Sequence, residues 1–538
     1  MPVVHDVRRD VSRPPPSDVH GVARRLDWRF LLPVANDAPL ERLRLLGGDA
    51  STGELIVECG VAGTVVTEGD DGPVDAVVSL RGEPQDVERL LTTLRPGGVF
   101  YCEVDRASRR TIGWSAARLD RRLRRAGFRT TVYWRRRRGD HDNLFLPLDA
   151  PGAVPWYLGE VIDDRGLVRG LARTMLRLLV RGNGHRLGLL ARRYSVVGVT
   201  DASGAAAAPR GLASPGLLGS GATDVVPAVR AGGEGAWSRV VLLPFGTTDA
   251  QPREVLKLPR TREHNRSTER EQHTLARLRP DLPSDLAAGV PSARGIRTWC
   301  GLCVGSESFV PGRPVGFLTR VAGSTLEAAV DWLIRLDSAT REALTDQPRP
   351  STEETFNEAF LTTVERLRLP LDVADLCRRF GVEHVGERPV PLVWQHGDLT
   401  PFNLRWDGSR HSAVDWESAR PGPALCDLLY LLLHWQWHDL PRFGVAPAEV
   451  LDAVFLSERG RAADLVSTPV RRYCAALGVD DALVPSLLLR MLSQQALDRA
   501  DRIRDIGLDP ADDQNLYADL FCRVATAGGR PATRWAGP

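Results

Sequence analysis

The chain has 538 residues and a formal net charge of +2, with 43% hydrophobic and 26% charged residues. This is the composition of a soluble globular protein of roughly three or four folding units, and it carries no overall field toward nucleic acid or acidic membranes. No apolar run approaches the ~20 residues that span a bilayer, and the opening MPVVHDVRRDVSRPPPSD lacks the apolar core of a signal peptide, so a cytoplasmic location is expected.

Residues 1–30, rich in Arg, Asp and Pro, read as a flexible arm. Residues 31–200 read as a first globular region. Its predicted elements are a strand over Val74–Ser79, a helix over Pro84–Leu94 and a buried strand after the Pro96-Gly97-Gly98 turn. An Arg-rich amphipathic helix over Trp114–Ala126 and a strand over Phe128–Trp134 follow. Arg135–Arg138 lacks the interleaved aromatics of a nucleic-acid platform and reads as a solvated turn. Pro155-Trp156-Tyr157 and the amphipathic Leu167–Leu179 complete the region.

This string resembles the second half of a class I S-adenosylmethionine-dependent methyltransferase, in which F-D-x-V and L-x-P-G-G mark two successive strands. The resemblance implies an α/β, Rossmann-like N-terminal domain. The first half departs from that pattern, because cofactor binding needs a Gly-rich loop after the first strand and an acidic residue ending the second. Glu58-Cys59-Gly60-Val61-Ala62-Gly63-Thr64 imitates the loop in part. Alternatively, Leu45-Leu46-Gly47-Gly48-Asp49 is its remnant, with short strands and no crossover helices after it. Both readings give a degenerate domain without cofactor, a working methyltransferase being the other possibility.

Residues 201–223, rich in Ala, Gly, Ser and Pro, read as a linker. A strand over Val225–Val229, a loop carrying Gly232, Gly233 and Gly235, and an apolar run Val240–Leu243 follow. Such a loop lets backbone N–H groups approach phosphates. Glu254–Leu258 is an alternating strand that carries Lys257, the single lysine of the chain; every other basic residue is arginine. A compact ammonium kept in so arginine-rich a sequence marks a place where a planar guanidinium is no substitute. The helix over Arg266–Leu278 sets Glu271, Leu275 and Leu278 on one face, with Glu269 a solvated charge. Strands over Thr298–Val304 and Ser306–Val310 lead to the segment Glu307–Gly312. Residues 316–530 read as mostly helical. Cys300 and Cys303 form a C-x-x-C without a second pair or nearby histidines, so they and the six other cysteines are expected to be reduced thiols.

The most informative segment is His396-Gly397-Asp398-Leu399-Thr400-Pro401-Phe402-Asn403, followed by Val414-Asp415-Trp416-Glu417. Phosphoryl transfer needs a carboxylate to orient a hydroxyl, and an amide and a second carboxylate to hold a divalent cation against phosphates. Q-H-G-D-L-x-x-x-N with V-D-W-E resembles the aminoglycoside phosphotransferase and choline-kinase-like family, over about residues 224–525. The resemblance implies an α+β, protein-kinase-like bilobal domain, with an N-lobe over 224–315 and a C-lobe over 316–530. It implies Asp398 as catalytic base, His396 as support of its loop, and Asn403 and Asp415 as Mg²⁺ ligands. It also implies Lys257 on the nucleotide phosphates, paired with Glu271, Gly232, Gly233 and Gly235 around ATP or GTP, and Glu307 in the inter-lobe segment that reads the base. Asp427 would anchor the catalytic loop. The expected reaction moves the γ-phosphoryl of ATP (or GTP) to a hydroxyl of a small partner such as an amino sugar, amino alcohol, nucleoside or glycan intermediate. A silent binding or scaffold module and a bifunctional methyltransferase-kinase are the alternatives. Trp435 and Trp437 read as helix core, and Asp498, Asp501, Asp505, Asp509, Asp512 and Asp513 as a solvated helix face.

Overall fold

The computed structural model describes residues 23–34, 39–66, 72–80, 92–105, 115–138, 142–161, 171, 174–176, 178, 192–200, 215–218, 224–232, 238–317, 323–344, 353–380, 390–439, 445–505, 509–510 and 515–527. Its backbone is one twelve-stranded sheet. In chain order the strands are β1 (Leu40–Leu46), β2 (Ala62–Val66), β3 (Val74–Ser79), β4 (Leu94–Asp105), β5 (Phe128–Arg138), β6 (Asp142–Pro147) and β7 (Arg193–Thr200). Then come β8 (Val225–Ala231), β9 (Val240–Gly246), β10 (Glu254–Leu258), β11 (Ala293–Trp299) and β12 (Leu302–Ser308). Their spatial order is β11-β12-β10-β9-β8-β6-β5-β7-β4-β3-β1-β2. The run β2-β1-β3-β4 is parallel, and the other neighbours are antiparallel.

Parallel neighbours need a crossover connection. Between β1 and β2 it is the helix α1 (Ala50–Glu58), started by Asp49, whose carboxylate accepts from the Thr52 N–H at 2.9 Å. This corrects the expectation of short strands without a crossover helix. It also makes Glu58-Cys59-Gly60 the end of α1, so Leu45–Asp49 covers the end of the first strand and the segment that follows it. The Arg-rich helix α2 (Ala116–Arg125) covers the sheet with Ala116, Leu119 and Leu123. Arg135–Arg138 is not a turn but the end of β5, in register with Phe145 to Asp142 of β6. The C-x-x-C straddles a tight hairpin: Cys300 and Gly301 have φ of 47° and 78° and join β11 to β12. All eight cysteines are free thiols.

The two regions expected to be tethered share this sheet. They meet where β6 pairs with β8, Leu144 opposite Arg230 and Phe145 opposite Val229. Two apolar clusters cover the sheet and each crosses the junction. One unites Val78 and Tyr101 with Leu242 and Trp299; the other unites Phe100 and Val196 with Phe245. Within 201–223, Pro215–Leu218 is helical and Leu217 is buried, its carbonyl accepting from Arg297 at 2.8 Å.

The expected arm is corrected over its last residues only, since residues 1–22 lie outside the described residues. Ala23–Leu31 is a 3₁₀ helix whose Leu26, Trp28, Phe30 and Leu31 are buried. Each such side chain contributes about 1.5–3 kcal/mol on burial, enough for an apolar run to override a disorder-like neighbourhood. The same helix places Asp27 against Arg260, Oδ1 to Nε 2.9 Å, with both residues 1% exposed. Arg260 also donates to the carbonyls of Gly232 and Ser238, at 3.3 Å each. It therefore grips both ends of the Gly-rich segment.

The C-terminal part is built on α3 (Asn265–Leu278), α4 (Gly323–Ala343), α5 (Cys426–Asp439), α6 (Arg461–Leu477), α7 (Val484–Asp505) and α8 (Leu516–Ala527). Short strands β13 (Arg313–Pro314), β14 (Leu392–Gln395), β15 (Leu404–Trp406), β16 (His411–Ala413) and β17 (Arg420–Pro423) line its upper side. Trp435 and Trp437 belong to its buried core. Asp498 and Asp501 are not merely solvated: they pair with Arg420 at 2.7 Å and with Arg366. Asp512 and Asp513 lie outside the described residues. Among the described residues no helix is long and apolar enough to cross a membrane.

Removing one partner of a buried ion pair leaves an uncompensated charge, a loss of about 3–5 kcal/mol. Asp27→Ala should lower unfolding stability by that amount in urea titrations, and a loss below about 1 kcal/mol would contradict the bracing role of this pair.

Candidate active site

Alternation along β10 decides which residues reach the cleft. Leu256 and Leu258 are fully buried in the apolar cluster, so Val255 and Lys257 face the other way and line a cavity of about 370 Å³. The Lys257 ammonium lies 2.7 Å from Glu271 on α3, 3.0 Å from Glu307 and 3.5 Å from Asp415. Burial alone would lower its pKa, but the three carboxylates hold it above the ordinary lysine value. Glu271 is fully buried. Its carboxylate also accepts from the Trp416 backbone N–H at 2.9 Å, which ties α3 to the turn carrying Asp415.

Glu307 differs from expectation. It sits inside β12 rather than in an open inter-lobe segment, and its side chain is committed to Lys257. Burial raises its pKa to about 7, against the opposing pull of Lys257. Gly232 lines the cavity, whereas Gly233 and Gly235 lie outside the described residues.

The loop 396–403 leaves β14 and is hung on α5. Both carboxylate oxygens of Asp427 accept backbone N–H groups, from His396 at 2.5 Å and from Gly397 at 3.0 Å. Gly397 has φ of 77°, and a Cβ there would stand 2.5 Å from the Ser418 carbonyl, so only glycine fits. His396 is 1% exposed, packs on Trp416 and places its Nε2 3.1 Å from the Val414 carbonyl. It supports the loop from below and does not reach the cleft. Asn403 folds back onto Asp398, its Nδ2 3.0 Å from Oδ2. The other oxygen, Oδ1, accepts from the Tyr430 hydroxyl at 3.2 Å. Burial raises the pKa of Asp398, opposed by Arg502, His396 and the Tyr430 hydrogen bond.

Asp415 adopts the left-handed conformation, φ 75°, a costly state that aspartate tolerates better than most residues. It turns the carboxylate into the cleft between Lys257 and Arg239. Those two cations and His396 hold its pKa below the ordinary range, although burial acts the other way.

Arg239 is the residue that sequence reasoning missed. It directly precedes β9, its side chain is 6% exposed, and it pairs with Glu271, Asp415 and Glu417. These carboxylates outweigh its burial and raise its pKa above the ordinary arginine value. With arginine at every other basic position, nothing local distinguished it; only its position two residues before the cleft-facing Val241 was a signal. A second missed feature is a hydrogen-bonded chain behind Asp398. Tyr430 Oη lies 2.9 Å from Tyr517 Oη, which lies 3.1 Å from His434 Nε2.

Four carboxylates (Glu271, Glu307, Asp415, Glu417) thus face Lys257 and Arg239 at one end of the cavity, with Arg502 3.8 Å from Glu417. The excess negative charge and the oxygen donors of Asp415 and Asn403 fit a hard divalent cation. Magnesium is usually held by one or two protein groups with phosphate oxygens completing the shell. Among the described residues no cluster of three or more His, Cys, Asp or Glu forms a closed metal cage.

A hydroxyl donating to a carboxylate stabilises its charged form. Tyr430→Phe should therefore shift the Asp398 titration to higher pH in carbon-detected NMR of the aspartate carboxyls. An unchanged titration would show that Tyr430 does not tune Asp398.

Residues 231–463 match the family model described as Phosphotransferase enzyme family. No curated protein matches the chain. Among solved structures, an aminoglycoside phosphotransferase from Streptomyces rimosus is 17% identical, covering 52% of this chain and 96% of its own, with a TM-score of 0.31. A choline/ethanolamine kinase family protein from Mesorhizobium loti is 17% identical, covering 55% and 89%, with a TM-score of 0.28. A choline kinase from Cryptosporidium parvum is 11% identical, covering 54% and 85%, with a TM-score of 0.35. The stretch that matches the phosphotransferase enzyme family, 231–463, contains Gly232, Lys257, Glu271, Asp398, Asn403 and Asp415.

Proposed function

We propose that residues 224–530 form a small-molecule kinase that moves the γ-phosphoryl of ATP, or GTP, to a substrate hydroxyl. The observation that carries this reading is the convergence of Lys257, Asn403 and Asp415 on one cavity, with Asp398 hydrogen-bonded to Asn403 at its edge. In this reading Lys257, oriented by Glu271, binds nucleotide phosphate oxygens, and Asn403 and Asp415 hold Mg²⁺. Bound there, the metal would neutralise phosphate charge, the main demand of phosphoryl transfer. Asp398 accepts a hydrogen bond from the acceptor hydroxyl and takes its proton as the new P–O bond forms; the nucleoside diphosphate leaves. Asn403 and Tyr430 keep the two carboxylate oxygens aimed.

One observation favours a second reading, a silent ligand-binding module: Arg239 pairs with the carboxylate assigned to the metal. Catalysis requires Arg239 to share or yield Asp415 when metal arrives. For the N-terminal half we infer a Rossmann-like scaffold from the parallel run β2-β1-β3-β4. Asp49, at the end of the loop after β1, spends its carboxylate on capping α1 and on Ser51, which supports a structural role.

Positioning and charge stabilisation by such groups are worth several orders of magnitude. Mg²⁺-dependent nucleotide turnover across a panel of hydroxylated acceptors should fall by about a thousandfold in Asp398→Ala, with the melting temperature retained. Activity surviving in that variant would overturn the mechanism. Nucleotide binding without transfer to any acceptor would move the binding-module reading ahead.

A further inference from the structure

The cavity has two ends. Lys257, Arg239, Asn403 and Asp415 mark the phosphate end. The opposite end lies against Phe309, Val310 and Pro314, where the chain passes from β12 to the C-terminal helices. At that end the cavity is closed by the N-terminal half. Leu144 of β6, together with Trp156, Tyr157 and Val161, lines it directly. Trp156 and Tyr157 lie on the helix Ala153–Trp156 and its π-type continuation Tyr157–Val161, which packs against β13.

These side chains are fixed rather than draped over the opening. Trp156 is 7% exposed and meets Phe245 at 5.6 Å and Phe309 at 6.2 Å, edge to face. Tyr157 stands edge-on to Trp134 of β5 at 6.1 Å. Leu144, Trp156 and Tyr157 belong to the same apolar cluster as Phe100 and Val196, so the core of the N-terminal half runs into the cavity wall. Around this wall three buried polar atoms have no hydrogen-bond partner among the described residues: Nε1 of Trp156 and Nε of Arg405, both on residues that line the cavity, and Oε2 of Glu160, which precedes Val161 and acts electrostatically on Arg405. Buried polar atoms without partners are uncommon in folded proteins. Two donors and one acceptor at an aromatic wall form a surface suited to a planar heterocycle, whose face stacks and whose edge carries both donors and acceptors.

We propose that the N-terminal half is a structural part of the nucleotide site: the segment Ala153–Val161 forms the wall of the base subsite and holds the purine of the nucleoside triphosphate. This rests on the nucleotide reading above and adds to it that base recognition is shared between both halves of the chain. The π-type turn is the device that brings it about, because it swings Tyr157 and Val161 toward the cavity while Trp156 stays anchored on Phe245.

The test uses the full-length protein and calorimetric titration with Mg²⁺ and ADP. A bulky side chain at position 161 fills the subsite, so Val161→Trp should weaken ADP binding at least about tenfold, whereas Val161→Ala should stay close to wild type. Hydrogen exchange on the wild-type protein is the second readout, independent of any variant's folding: peptides covering 153–161 should gain protection when Mg·ADP binds. If Val161→Trp keeps its melting temperature and binds ADP like wild type, or if 153–161 exchanges identically with and without bound nucleotide, the wall assignment is wrong while the nucleotide site stands. If the wild-type protein binds no nucleotide, both readings fall.

Discussion

A lysine with three carboxylates around it is the constraint from which the rest of the cleft follows. Each buried ion costs several kcal/mol to desolvate, and only close pairing offsets that cost. Lys257 meets Glu271 and Glu307 within 3.0 Å, and Arg239 draws Glu271 to Asp415 and Glu417. This network joins the residue before β9 to β10, β12, α3 and the turn at Asp415, so it locks the sheet to the helical part. Asp415, in its left-handed conformation, holds its carboxylate against both cations. The network holds more carboxylates than cations even with Arg502 3.8 Å from Glu417, a condition that a bound divalent cation would relieve.

The second organising feature is the shared sheet. The strands β8 to β12 standing alone would leave β8 as an open edge, with unpaired N–H and C=O groups. Pairing with β6 removes that edge and brings the N-terminal core alongside the cleft. The Asp27–Arg260 pair then reaches the Gly-rich segment from the opposite face. The N-terminal half thus contacts the cleft through a clamp on the loop ends and a wall at the far end of the cavity.

The parts of this site that were legible in sequence are those set by short spacing. Asp398 and Asn403 share one loop, Lys257 follows from alternation in β10, and Glu271 from helical spacing in α3. The structure brings these four together with Asp415. What was not legible depends on pairing between distant segments. No local pattern says that β6 meets β8, so two tethered domains were expected where one sheet exists. Arg239 was lost among arginines, and Glu307 was assigned to the inter-lobe segment from the family resemblance, although the expected strand Ser306–Val310 already contained it. The 3₁₀ helix at Ala23–Leu31 was hidden by its Pro- and Arg-rich neighbourhood, though the apolar residues from Leu26 to Leu32 were there to be read.

The most direct test of the central claim is a crystal structure of the full chain with Mg²⁺ and a non-hydrolysable ATP analogue. The account predicts a metal bound between Asn403 and Asp415, phosphate oxygens on Lys257, and the Arg239 guanidinium moved off, or sharing, the Asp415 carboxylate. A nucleotide bound elsewhere, or one bound in the cleft with Arg239 still filling Asp415 and no metal there, would contradict it.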